Sequence, residues 1–487
     1  MSEAVRQLEP KALWNHFSDL NAVPRASKEE EEVINFIKSF GEDLGFPVVI
    51  DSVGNVIIKK PATSGMENRK TIVLQSHLDM VHQKNGDTNF DFATEGIKML
   101  VNGDWVNADG TTLGADNGIG VASIMAILSS TDIPHPAVEA LFTIDEETGM
   151  TGALGLKGGF LDAEIMLNLD TEDDDELTIG CAGGIDVTAT GTYAQDNTPE
   201  NSESFKITVK GLNGGHSGMD IHKGLGNANK IMNRILYNSG KKFGLRVQTI
   251  DGGSLRNAIP RESFAIVVVP NDKVADWKNY CNEIATILKV EHGTTDANMT
   301  VEIESSSSPE NVLNVNFQDQ LLRAIYATPN GIYRMSPDIK DLVQTSNNLA
   351  RVLVKDGAYS IQCLTRSSVD SEKFDLADSI AASYEQVGSD IEHSGDYPGW
   401  TPRPGAEIVK IMRDLYKEMF NGEEPQVAAC HAGLECGILG TNYPEMEMIS
   451  FGPNIRGAHS PDEKVQISSV QKYWGYFLKT LEAIPVK

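Results

Sequence analysis

The sequence predicts an α/β protein whose mixed-sheet domain is interrupted by an inserted α+β module. Three observations predict it. The short runs 71–74, 138–144 and 164–169 are apolar, as buried strands are, the first is rich in β-branched residues, and an apolar helical stretch at 121–128 lies between the first two. From about residue 184 the texture changes to half-exposed alternation, as in Phe205-Lys-Ile-Thr-Val-Lys210. After a stretch rich in Pro and Gly at 394–404, which reads as a linker, buried texture returns. These shifts divide the chain into 1–184 and 385–487, two parts of one domain, with an insert over 185–384. A chain of 487 residues is too long for one ordinary domain, in keeping with that division.

Taken in order, residues 9–20 and 28–44 read as amphipathic helices, with Pro24 and Ser27 between them. Ser27-Lys-Glu-Glu30 has the S-x-x-E form of a capping box. A strand pair follows at 46–49 and 55–59. The strand at 71–74 then runs into Gln75-Ser-His77-Leu-Asp79. Residues i and i+2 of an extended backbone share a face, so His77 and Asp79 stand together at a strand's carboxyl end. Open α/β sheets place their ligands there.

Gly110-Thr-Thr-Leu-Gly-Ala-Asp116-Asn-Gly-Ile-Gly120 leads into the apolar helix 121–128, so Asp116 sits at a Gly-rich helix entrance, where capping alone would explain it. The strand at 138–144 ends in Asp145-Glu146-Glu147, and the strand at 164–169 ends in Asp170. In the insert, strand 205–210 precedes the loop Gly214-Gly-His216-Ser-Gly218, a helix at 224–238, a strand at 261–269 and a helix at 274–289. A second round follows at 299–304, 318–327, a hairpin of 349–355 with 359–365, and a helix at 371–386. This reads as two β-α-β units in tandem. The returning part contributes helix 406–420, strand 447–451, the loop Arg456-Gly-Ala-His459-Ser-Pro-Asp-Glu463 and a final helix at 467–481.

Composition narrows the function classes. Hydrophobic residues at 40% and charged residues at 23% are those of a soluble globular protein, and no apolar run reaches the ~18 residues of a membrane span. A formal net charge of −28 argues against nucleic acid or an anionic membrane surface as partner. Part of that charge, the run Glu172-Asp-Asp-Asp-Glu176, reads as a solvated face. The N-terminus shows no basic segment followed by an apolar core. The five cysteines are scattered without a CxxC pair, which suits a reducing cytoplasm. No GxSxG stretch and no cysteine beside a candidate base offers a covalent nucleophile.

Three apolar strands end in His/Asp, Glu/Glu and Asp, with Asp116 between them. If these strands lie side by side, His77, Asp79, Asp116, Glu146, Glu147 and Asp170 converge on one rim, and His459 is the remaining candidate. A pair of divalent metals about 3.5–4 Å apart needs a bridging carboxylate with mixed imidazole and carboxylate terminal ligands. Two His, a bridging Asp and two terminal carboxylates meet that need with one Glu to spare.

The motifs QSHLDMV, GTTLGADNGIGVA, TIDEETGMTGA, LNLD, GGHSG, RNAIPRE and GAHSPDE, in this order, resemble the di-zinc metallopeptidases, a family of carboxypeptidases, aminoacylases, tripeptidases and dipeptidases. Within it the wording is most similar to the dipeptidases that cleave Xaa-His peptides, β-alanyl-histidine included. The resemblance implies a di-zinc exopeptidase fold with the insert as a lid, and two Zn2+ per chain, with Co2+ or Mn2+ as substitutes. It implies Asp116 as the bridging ligand, His77 with Asp170 on one metal and Glu147 with His459 on the other. It makes Glu146 the general base and Asp79 the residue that orients His77. In the lid it points to His216 as an oxyanion stabiliser and to Asn257 and Arg366 as grips for a substrate carboxylate. No metal role falls to His431, whose loop would line the pocket, while His82, Asp109 and Asp145 read as structural. A cytoplasmic enzyme acting on small peptides, paired as a homodimer through the lid, is the resulting expectation. An aminoacylase, tripeptidase or carboxypeptidase is the alternative inside the same chemistry, and a non-catalytic metal-binding protein the alternative outside it.

Overall fold

The structure is a computed structural model that describes residues 2–487, and the chain gathers into two compact units. Unit 1 comprises the residues up to Gly180 with Trp400–Ala429 and Leu434–Lys487; unit 2 comprises Cys181–Gly399 and Cys430–Gly433.

Unit 1 is built on an eight-stranded mixed sheet. Its spatial order is Val48–Ile50, Val56–Lys60, Val138–Thr143, Ile72–His77, Ile165–Asn168, Glu447–Ser450, Glu176–Cys181 and Gln426–Cys430. The four strands from Val138–Thr143 to Glu447–Ser450 run parallel, and the first two strands pair antiparallel. Every residue of Ile72–His77, Val138–Thr143 and Ile165–Asn168 is buried, as expected of parallel strands covered on both faces. The register sets His77 opposite Thr143, and Gln75 opposite both Leu141 and Asn168. The carboxyl ends of these strands therefore share one rim.

Helix Ala115–Ser129 is apolar all round and packs as a core helix, with Asn117–Leu128 buried. Its approach depends on Gly120, where a Cβ would crowd Asn117, Ser76 and the Leu169 carbonyl oxygen, the last at 2.7 Å. The predicted capping box does not form. Glu30 precedes helix Glu31–Asp43 without capping it and instead accepts the N–H of Lys28 at 2.7 Å. The Ser27 hydroxyl donates to Asp79 at 2.8 Å, because a fully buried carboxylate needs donors more than a half-solvated helix start does.

Unit 2 carries a nine-stranded antiparallel sheet in the order Thr300–Ser305, Ser202–Lys210, Ser263–Pro270, Arg246–Gly253, Val343–Lys355, Ala358–Ser367, Gly183–Thr192 and Asp390–Tyr397, with Gly331–Met335 also on Val343–Lys355. Its helices place Ile231, Ile235, Trp277, Leu321 and Leu376 in one core with Val209, Val267 and Ile361. The two tandem units read from the sequence are joined into this one sheet by pairing of Ile250–Gly253 with Arg351–Val354. The stretch read as a linker is partly strand: Asp390–Tyr397 pairs with Gly183–Thr192, so unit 2 runs to Gly399 and not to 384. Polar and Gly residues dominate that edge strand and Ile391 is its one aliphatic residue, so it carries little hydrophobic signal.

Candidate active site

The rim of the unit 1 sheet brings together all seven residues singled out there. Asp116, displaced from helical geometry at the start of its helix, faces two imidazoles. Its Oδ1 lies 3.2 Å from His77 Nε2 and its Oδ2 3.2 Å from His459 Nε2. His77 Nε2 is also 3.5 Å from Asp170, and His459 Nε2 is 3.0 Å from Glu147. Two ligand groups result, His77–Asp116–Asp170 and Asp116–Glu147–His459, and Asp116 belongs to both. Glu146 stands with His77 and Glu147 in a third close group.

Asp79 has no free oxygen. Oδ1 accepts the Glu146 N–H at 3.0 Å and lies 3.3 Å from His77 Nδ1; Oδ2 accepts the Glu147 N–H at 3.2 Å and the Ser27 hydroxyl. One carboxylate thus orients an imidazole from strand Ile72–His77 and fixes the turn after strand Val138–Thr143. Burial alone would raise the Asp79 pKa, but the hydrogen bond and charge of His77, with these donors, hold it at about 2. Burial pushes Glu146 well above the usual carboxylate range, and the negative charges of Asp170, Glu435 and Glu147 add to it against His77. Hydrogen bonds to Asp116 and Glu147 push His459 up to about 11.

These residues suit a pair of divalent cations. The donor set is imidazole nitrogen and carboxylate oxygen, with one carboxylate shared. Glu147 Oε1 is buried with no hydrogen-bond partner, an orphan acceptor at the place where a cation would satisfy it. His459 is 56% exposed, so one side of the group is open to solvent.

Two further carboxylates escaped the sequence reading. Glu435 is buried against the Gln75 amide at 2.6 Å and the Thr143 hydroxyl at 2.7 Å, and burial pushes it up to about 7. Its signal was a lone acid in the apolar stretch Leu434-Glu-Cys-Gly-Ile438. Glu172 belongs to the run read as a solvated face, yet burial, then Asp116 and Asp170, push it up to about 8. Two acids of that run are ion-paired: Asp174 meets Lys472 at 2.7 Å, and Asp173 meets Arg456. The pairing cations lie some 280 to 300 residues away, beyond the reach of local pattern.

His216, Asn257 and Arg366 fall in unit 2, in one neighbourhood. His216 Nδ1 accepts the N–H groups of Gly218 and Met219 at 3.2 and 3.0 Å, which leaves Nε2 as the protonated nitrogen. Burial, then the charge of Arg366, lowers its pKa. Arg366, itself buried, donates to the Tyr397 hydroxyl at 2.7 Å and the Ser217 hydroxyl at 3.4 Å. Asn257 is exposed and takes part through its carbonyl, which accepts the Ser217 N–H at 2.8 Å. His431 joins the same unit, with its Nε2 2.7 Å from the Ser346 hydroxyl.

A sequence profile of peptidase family M20/M25/M40 matches residues 73–483. The cytosol non-specific dipeptidase of Escherichia coli (strain K12) is 44% identical over 487 residues, all of both chains. The crystal structure of aminoacylhistidine dipeptidase from Vibrio alginolyticus superposes with a TM-score of 0.94 at 44% identity, covering 100% of each chain. Aminopeptidase PepT from Bacillus cereus ATCC 10987 shares the fold, with a TM-score of 0.57 at 16% identity over 98% of this chain and 99% of its own.

Burial, then the nearby Arg366 charge, lowers His431 to about 3, so it folds as neutral imidazole. A histidine whose folded pKa lies below its unfolded value of about 6.5 binds protons preferentially when unfolded, and stability falls as pH drops from there toward the folded value. Replacement by glutamine, His431→Gln, is expected to flatten acid destabilisation between about pH 6.5 and 3 by on the order of 1 kcal/mol per pH unit. Denaturant melts of parent and variant at several pH values measure this; parallel pH profiles would refute it.

Proposed function

Because the chain belongs to peptidase family M20/M25/M40, we propose that it is a metal-dependent dipeptidase working with two zinc ions in the cytoplasm. Its substrates are dipeptides with free ends, Xaa-His peptides such as β-alanyl-histidine among them. Full-length similarity to relatives described as a cytosol non-specific dipeptidase and an aminoacylhistidine dipeptidase supports this reading. Among the described residues no helix is long and apolar enough to cross a membrane. The observation that carries the chemistry is Asp116 facing two ligand groups with Glu146 left over beside them.

Each side chain then has a task. His77 and Asp170 would hold one ion, Glu147 and His459 the other, and Asp116 both. When bound, the pair of ions lowers the pKa of a water and polarises the scissile carbonyl. Glu146 takes the proton from the attacking water and delivers it to the leaving amine, a role that its burial-raised proton affinity suits. Asp79 keeps the His77 proton on Nδ1, so that Nε2 presents its lone pair. In unit 2, Arg366 is the group suited to a free carboxylate, and His216, protonated on Nε2, to a carbonyl oxygen.

Glu146→Gln should bind metal as the parent does and lose about 10²–10⁴-fold in kcat on dipeptides. A variant that turns over at the parent rate would remove Glu146 from proton transfer. Arg366→Ala should raise KM for free dipeptides about 10–100-fold, the worth of a charge-assisted hydrogen bond. Equal cleavage of free and C-terminally amidated dipeptides by the parent would contradict carboxylate recognition by Arg366.

A further inference from the structure

Two buried charged side chains of unit 1 take no part in the chemistry above. Glu463 is 2% exposed, and its carboxylate accepts four successive backbone N–H groups. Oε2 takes those of Leu113 at 2.8 Å and Gly114 at 2.9 Å; Oε1 takes those of Ala115 at 2.7 Å and Asp116 at 3.2 Å. The last belongs to the shared ligand itself, and Glu463 follows His459 in the same loop. Arg25, also 2% exposed, grips the same segment from its carbonyl side. Nη2 donates to the Gly114 oxygen at 2.5 Å, and Nη1 to the Leu78 and Asp79 oxygens at 3.0 and 3.2 Å. The peptide before Asp116 is thus held on one side by the loop of His459 and on the other by the strand end of His77.

Helix capping alone does not account for this. The first N–H groups of a helix need acceptors, but a surface side chain supplies them at little cost. Exposed Asp104 does so for helix Ile467–Ala483, accepting the Ser468 N–H at 3.0 Å. A carboxylate brought from 347 residues away and stripped of water is costly unless each lone pair is used, and here the four N–H groups use them. The Glu463 charge in turn raises the Arg25 pKa against the burial that lowers it to about 10.

We propose that Glu463 and Arg25 are positioning residues that set the place of Asp116, and with it the distance between the two metal groups. The inference rests on the two-metal reading of Asp116. Neither residue touches metal or substrate in this account.

The test is calorimetric titration of Zn2+ into the chelator-treated full chain, for the parent, Glu463→Gln, Arg25→Lys and Asp104→Asn, with kcat and KM at saturating metal. In Glu463→Gln an amide NH2 replaces one acceptor oxygen and meets two N–H donors, so the fit fails without a change of size. The parent should bind two ions. Glu463→Gln and Arg25→Lys should weaken at least one of them about 10–100-fold, with a fall in kcat and little change in KM. Asp104→Asn, which loosens a helix start away from the site, should leave both affinities unchanged. If Glu463→Gln does not fold, Glu463→Asp, which keeps the charge but falls one methylene short, is read by the same criterion. Two ions bound by the Glu463 variant with parent affinity would overturn the positioning role, as would equal weakening in Asp104→Asn. Fewer than two ions on the parent would overturn the two-metal reading and this inference together.

Discussion

The carboxylate of Asp116 faces His77 through one oxygen and His459 through the other, and most of unit 1 can be read as the means of holding it there. That arrangement packs two imidazoles among Asp79, Asp116, Glu146, Glu147 and Asp170, and Glu147 Oε1 is buried with no hydrogen-bond partner. Such a group is costly to bury and gains by binding positive charge. The parallel register delivers His77, the Glu146–Glu147 turn and Asp170 to one rim. The surrounding hydrogen bonds then decide which atoms face inward. Asp79 alone, with acceptors for Ser27 and for the Glu146–Glu147 turn, links two segments to the His77 ring.

The two carboxylates beside each other after strand Val138–Thr143 illustrate how environment separates roles. Burial raises both, but Glu147 pairs with His459 at 3.0 Å, whereas Glu146 makes no such pair and is pushed well above the usual carboxylate range. A proton carrier needs that second condition and a metal ligand the first. The division follows from geometry in unit 1 and does not depend on which divalent ion the cell supplies.

How much of this was legible in the sequence depends on the range of the interaction concerned. The strands ending in His77-Leu-Asp79, Glu146-Glu147 and Asp170 show themselves through local apolar runs, and their common rim follows once they are taken as parallel neighbours. Joining His459 to them depends on reading the middle of the chain as an insert, since it follows Asp170 by 289 residues. What stayed hidden was hidden by distance or by weak patterning. Ser27 looked like a cap because S-x-x-E is a local signal, while its partner Asp79 lies 52 residues on. Glu172 looked solvated because its run is acidic, though burial governs it. The end of strand Asp390–Tyr397, from Ser394 on, looked like linker because an exposed edge strand carries no apolar stripe.

Two cations sharing Asp116 are the central requirement of the proposed chemistry. The most direct measurement is dipeptide hydrolysis by the chelated full chain as zinc is returned in known equivalents, with β-alanyl-histidine and a small Xaa-Yaa panel as substrates. Activity absent at the start and rising to a plateau at about two equivalents per chain is the expected result. A plateau at about one equivalent, or full activity in the chelated protein, would contradict it.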